Sequence, residues 1–223
     1  MQEYLLKKSE AMLVNVIFLD YHRHDYTQRV KDVNFNNAGY EFDFIDVDMK
    51  GISKAINYGI FNSRTYDAVV TMANDILMPD NWLSRMVEAM ITIPDSGMIG
   101  IHTVEQINEP RSINGLLVHV QEAVFGNVLI PMKAIDKIGY FSEAYDPYGM
   151  QDRDYSYRLQ MTGHLNYYLN GLRAEHIGHD VGQQTDYRRM KDEGLSRCDY
   201  LWARETGKYQ ENNDYTIFMK EYL

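Results

Sequence analysis

The chain has 223 residues, 45% of them hydrophobic and 24% charged, and carries a net charge of −10. That length suits one large domain, or one domain with an appended arm, and buries a sizeable core. The acid excess argues against a general nucleic-acid-binding surface, which needs a basic patch.

Cys198 is the single cysteine, so the chain forms no internal disulfide and no cysteine metal cluster. The first residues, MQEYLLKKSEAML, have no long apolar core. No run approaches the ~18 apolar residues of a membrane span. A cytoplasmic protein without a transmembrane segment is expected.

Residues 13–19 (LVNVIFL) predict a strand apolar enough for a central parallel position. Asp25 stands as an N-cap, with Gln28 at capping-box spacing, before a helix through Val30 and Val33. Residues 40–47 (YEFDFIDV) predict a second strand, closing on Asp46, Val47 and Asp48. Next, Ile52, Ala55, Ile56, Gly59 and Ile60 share one helical face. Residues 66–83 (YDAVVTMANDILMPDNWL) read as a buried strand around Val69 and Val70, an acidic turn and a helix opened by Pro79 and Asp80. Leu83, Met86, Val87 and Met90 of that helix fall at helical spacing. Strand alternates with helix three times, which argues for a parallel sheet covered by helices. A carboxylate at the C-terminal end of such a strand stands in the crevice where open α/β sheets bind ligands. Asp75 is therefore the first candidate to hold a divalent cation and, through it, a diphosphate.

Residues 98–102 predict a further strand, and 103–116, with Pro110, Asn114 and Gly115, a loop. Two β-rich runs, LLVHV and AVFGNVLI, suit a second, partly antiparallel part of the sheet. A short helix over 132–137 is closed by Gly139. After an aromatic turn at 145–149, a helix starts at Gln151 and is capped by Gly163, with Asp152 in its first turn. A short strand over 164–169 leads to AEHIGH at 174–179. The tail beyond Asp180 is rich in charge, Tyr and Trp, and is expected to lie as helices and loops over the site.

Six segments occur in order over residues 13–180: VNVIFLDYHRHDYTQRV, GISKAINYGI, YDAVVTMANDILMPDNWL, VFGNVLIPMKAIDKIGYFSE, YGMQDRDYSYRLQMTG and AEHIGH. Together they resemble glycosyltransferase family 2. The resemblance implies an α/β fold of GT-A type, a Rossmann-like sandwich on a mixed, mostly parallel sheet. It implies a catalytic domain over 1–180, with a nucleotide-sugar half at 13–102 and an acceptor half at 103–180, and an extension over 181–223 packed on it. It also implies a nucleotide-diphosphate sugar donor, Mn2+ or Mg2+, and an inverting single displacement. The acceptor hydroxyl would belong to a glycan, a lipid-linked sugar, a protein or a modified nucleobase. Two positions depart from the family pattern. Ala73 stands where an acidic residue usually precedes the last Asp of the metal motif, and Gln151 replaces the Glu usually paired with Asp152.

On this register Asp75 is a metal ligand, with His176 as the second and His179 as its rival. Asp152 is the general base, with Asp154 as the alternative. Tyr21 and Arg23 would flank the nucleobase, and Asp46 and Asp48 would accept from a pyrimidine N–H. Lys54 and Asn57 would reach the diphosphate and fix the strand-end loop, and Asn74 would position Asp75. Gln151 and Tyr148 fall on the acceptor side. Tyr145, Trp82 and Trp202 are open between stacking on sugars and core packing. Two rival functions follow: a non-catalytic nucleotide- or glycan-binding module, and a sugar nucleotidyltransferase. The second lacks the Gly-rich, basic loop after the first strand that a triphosphate favours.

Overall fold

Side-chain alternation along the first strand decides the layering. In β1 (Val14–Leu19), Val14, Val16 and Phe18 enter one buried cluster and Ile17 enters another. β3 (Ala68–Ala73) repeats the split, with Val70 and Met72 on one side and Val69 on the other. A strand with period two buried on both faces needs a helical layer on each. The computed structural model, which describes residues 12–21, 24–104, 108–180 and 186–218, has that arrangement.

The main sheet has eight strands in the order β2-β1-β3-β8-β5-β9-β7-β6. Besides β1 and β3 these are β2 (Asp43–Val47), β5 (Ser96–Gly100), β6 (Arg111–Ile113), β7 (Leu116–Val120), β8 (Val128–Pro131) and β9 (Leu165–Leu169). β7 and β8 are antiparallel to both of their neighbours, and every other pairing is parallel. Six strands therefore run one way and two are reversed, so the sheet is mixed and mostly parallel. The reversed pair are the two β-rich runs of residues 117–131.

Helix α1 (Thr27–Asn36) links β1 to β2, and α2 (Ile52–Phe61) links β2 to β3. Phe35 of α1 packs against the first cluster, and Ile56 and Ile60 of α2 belong to the second. The chain thus leaves β1 in one direction and returns on its other side, across the opposite face. Between β1 and β3 the strand order reverses, and a crevice opens there at the C-terminal ends of the strands.

Helix α3 (Trp82–Thr92) buries Leu83, Met86, Val87 and Met90, as its spacing predicts. Helices α4 (Met132–Ile138) and α5 (Gln151–Met161) cover the second face, where Ile135, Tyr155 and Leu159 join Ile56 and Ile60. Helices α6 (Asp186–Ser196) and α7 (Cys198–Asn212) follow. A two-strand ladder, β4 (Ile76–Leu77) with β10 (Glu175–His176), stands apart from the main sheet. Among the described residues no helix is long and apolar enough to cross a membrane.

Two local expectations fail. Helix α1 begins after Tyr26 without a side-chain cap, and Gln28 donates instead to Asp32, one turn on. The expected loop at 103–116 contains β6, joined to β7 by Asn114 and Gly115, both at positive φ. Asn-Gly is a strong two-residue hairpin signal, and a strand of three residues is too short to show alternation.

Candidate active site

The turn after β3 carries Asn74 and Asp75 into the crevice, and neighbours fix it on several sides. Ala73 N–H donates to the Asn127 side-chain carbonyl at 2.8 Å, and the Asn74 amide donates to Tyr21 O at 3.3 Å, across the switch point. On the far side, Ile177 N–H donates to Asp75 O at 2.9 Å, continuing the β4–β10 ladder. That ladder brings His176 Nε2 to 3.0 Å from Asp75 Oδ2, although the two residues are 101 positions apart. Gly178 leaves the necessary room, because a Cβ there would lie 2.5 Å from the same oxygen. A carboxylate oxygen and an imidazole nitrogen side by side on a cavity wall are a donor pair that suits Mn2+, and the carboxylate alone suits Mg2+. Among the described residues no cluster of three or more His, Cys, Asp or Glu residues forms a fuller ligand set.

Asp75 and His176 line a cavity of about 560 Å³ that Tyr148, Gln151 and Asp152 also line. Asp152 and Asp154 are two positions apart on α5, about 200° around a helix of 3.6 residues per turn, and their fates differ accordingly. Asp152 faces the cavity, where loss of hydration pushes its carboxyl up to about 7. Asp154 is fully buried behind it, where Arg158 Nε donates to it at 2.9 Å and the hydroxyls of Tyr145 and Tyr209 at 3.2 and 3.1 Å. The alternative role for Asp154 is thereby corrected: its carboxylate is committed to a buried ion pair and does not reach the cavity.

On the acceptor side, Gln151 is buried and accepts from Gly149 N–H at 3.0 Å. The Tyr148 hydroxyl is raised above its ordinary pKa, first by burial and then by the charges of Asp152 and Asp75. Lys191 of α6 sits 4.7 Å from the centre of the Tyr148 ring, and Lys191 and Leu195 complete one wall of the cavity. Helix α6 lies directly on the Tyr148 backbone, because a Cβ on Gly194 would be 2.0 Å from Tyr148 O.

The nucleotide-side candidates divide. Tyr21, Asn74 and Asp75 line a narrow adjoining slot of about 100 Å³, together with Met49, Pro147 and Met190. Asp46 is elsewhere: it is exposed, and Lys31 Nζ lies 2.6 Å from both of its oxygens, on the α1 side of the sheet. Asp48 is exposed and lines neither cavity. Lys54 is exposed and lines neither cavity, and its backbone N–H donates to Asp146. Asn57 is fully buried and serves as a strut, donating to Phe141 O at 3.0 Å and to Glu143 at 3.3 Å and accepting from Phe141 N–H at 2.8 Å. The segment it braces follows helix α4 rather than a strand end, and Asn57 lines neither cavity. Trp82 is core, with its indole N–H on Asn34 O, and Tyr145 is buried under Asp154. Trp202 stacks under Arg153, 4.8 Å away. Arg23 and the side chain of His179 lie outside the described residues.

Sequence reading missed Asp146. Gly51, at the N-cap of α2, has no side chain to offer the first turn. The Asp146 carboxylate, 93 positions away, accepts from Ser53 N–H at 2.8 Å and from Lys54 N–H at 3.1 Å. Burial raises its pKa, and these bonds offset only part of the rise. No local signal announces a cap supplied from so far along the chain.

No family model and no curated protein matches the sequence. Solved structures do match in fold. One is GalNAc-T7 with UDP, GalNAc and Mn2+, at 11% identity and TM-score 0.50, over 76% of this chain and 38% of that one. Another is the catalytic domain of Drosophila beta1,4-galactosyltransferase 7 with xylobiose, at 12% identity and TM-score 0.57, over 81% and 79%. A third is a mannosyltransferase from Pyrobaculum calidifontis with GDP-Man and Mn2+, at 12% identity and TM-score 0.58, over 81% and 63%. The chain therefore spans well under half of the first protein and under two thirds of the third. At these identities the likeness shows the fold, which is of GT-A type.

Proposed function

We propose that the chain is a metal-assisted glycosyltransferase that moves a sugar from a nucleoside-diphosphate donor to an acceptor hydroxyl, with inversion, in one displacement. The observation that carries this reading is the convergence of Asp75, His176 and Asp152 on one cavity beside the switch point of the sheet. Glycosyltransferases of the same fold, solved with nucleotides and Mn2+, support it.

Asp75 and His176 would hold the cation, and diphosphate oxygens and water would fill the other positions. A bound cation supplies positive charge against the departing diphosphate. Asp152 takes the acceptor proton as the hydroxyl oxygen attacks the anomeric carbon and the bond from that carbon to the diphosphate oxygen breaks. One base suffices because no covalent sugar–enzyme intermediate forms, unlike in retaining hydrolases with two carboxyl groups. A carboxyl pushed up to about 7 is a stronger base than an ordinary aspartate and is about half ionised at neutrality.

Asp152→Asn should lower transfer by about 10²- to 10⁴-fold while nucleotide-diphosphate affinity holds. Donor turnover with Mn2+, followed as sugar release to water and transfer to an acceptor panel, reads the first quantity. Calorimetry reads the second. Unchanged transfer in the variant would refute the assignment. Ala73, in place of an acid, favours one second reading, a module that binds nucleotide without turnover. Nucleotide binding with no sugar release from any donor would select it.

A further inference from the structure

We propose that Phe125 is a stacking platform for a pyranose ring, so that the acceptor is a carbohydrate; this rests on the transferase reading above. Phe125 lines the same cavity as Asp152, yet its side chain is half exposed. A lone exposed ring needs no explanation, but this one is held out by a rigid frame. Its backbone N–H donates to the Tyr168 hydroxyl at 2.8 Å, and that hydroxyl lies 3.4 Å from Phe125 O. The preceding residue, Val124, is fully buried, and its N–H donates to Ser156 Oγ at 3.2 Å. Ser156 is one turn beyond Asp152 on α5, so the two share a face of that helix. One helix face thus sets both the proposed base and the backbone that presents the ring.

The surroundings narrow the ligand. Tyr148 and Tyr168 add aromatic surface, while His102, Gln151 and Arg153 add polar groups. A lipid tail would match only the apolar part of this lining, whereas a carbohydrate has both an apolar face and polar edges. A pyranose has a flat face of C–H groups, slightly positive, that matches the negative face of an aromatic ring. It also has a rim of hydroxyls for the polar groups, one of which is the nucleophile. Because the frame is already ordered, binding loses little conformational freedom at Phe125.

The test uses the full chain and saturation-transfer NMR with a panel of methyl glycosides: gluco, galacto, manno, xylo and N-acetylglucosaminyl. In wild type at least one glycoside should take up saturation, most strongly on one C–H face. Phe125→Ala should weaken that glycoside by about 5- to 10-fold, Phe125→Trp should retain it, and Phe125→Leu should recover less than half of the loss. Thermal unfolding of each variant confirms that it is folded. Signal unchanged in Phe125→Ala, full recovery by leucine, or silence across the panel would overturn the proposal. Parallel titrations of wild type with UDP and GDP, with Mn2+, separate the two readings. Nucleotide binding with a silent panel sinks the platform alone. Glycoside contact at Phe125 without nucleotide binding sinks the transferase and leaves the platform standing.

Discussion

At the scale of single residues, Asp152 makes the sharpest commitments. Its carboxyl titrates near 7 when folded, against 3.8 for a free aspartate. If it is the base, kcat/KM should rise with pH on a limb centred near 7, and a limb near 4 would mean that an unshifted carboxylate does the work. Stability must move the other way. Between the two values the folded chain holds a proton that the unfolded chain has lost, so the free energy of unfolding falls as pH climbs from 3.8 to about 7 and then levels. Asp152→Asn stays neutral and should unfold on the order of 10 °C above wild type at about pH 8, with the gap closing near pH 4. Scanning calorimetry across pH decides this. That Asp75, Asp152 and His176 would meet at one cavity could be expected from sequence, because each follows or opens a segment placed there by the strand and helix pattern. Asp46 and Asn57 lie away from the cavity because Lys31, and Phe141 with Glu143, hold them, and local pattern does not place those partners beside them.

At the scale of elements, the alternation of strands and helices could be read because buried strands and amphipathic helices have different periods. The β4–β10 ladder, two residues on each side, has no period at all, yet it joins Asp75 to His176. The same limit hides the Asp146 cap. Removing it with Asp146→Ala leaves the first turn of α2 without its borrowed acceptor and should cost about 1–2 kcal/mol in urea unfolding. The loop that carries Tyr148 loses its anchor in the same change, so the acceptor KM should rise more than the donor KM. Equal changes in both would mean that Asp146 stabilises the fold without positioning that loop.

At the scale of the whole molecule, two helical layers hold a sheet whose order reverses between β1 and β3, and the crevice follows from that topology. The far half is locked by Arg158, which is fully buried and spans the gap between chain segments. Besides Asp154 it donates to Ile138 O at 3.1 Å, Tyr140 O at 2.8 Å and Tyr215 O at 3.5 Å. Arg158→Met would strand the Asp154 charge in the interior and should destabilise by about 3–5 kcal/mol, measured by urea unfolding at neutral pH. A smaller loss would mean that Asp154 simply takes up a proton. Proteins are made from the N-terminus onward, at about 5–20 residues per second. A growing chain therefore has all of its central strands well before Tyr209 and Tyr215 leave the ribosome. Until they do, Asp154 and Arg158 lack part of their shell, and the helix that presents Asp152 has no finished seat. The strands that border the crevice are thus made before the residues that complete the seat of α5.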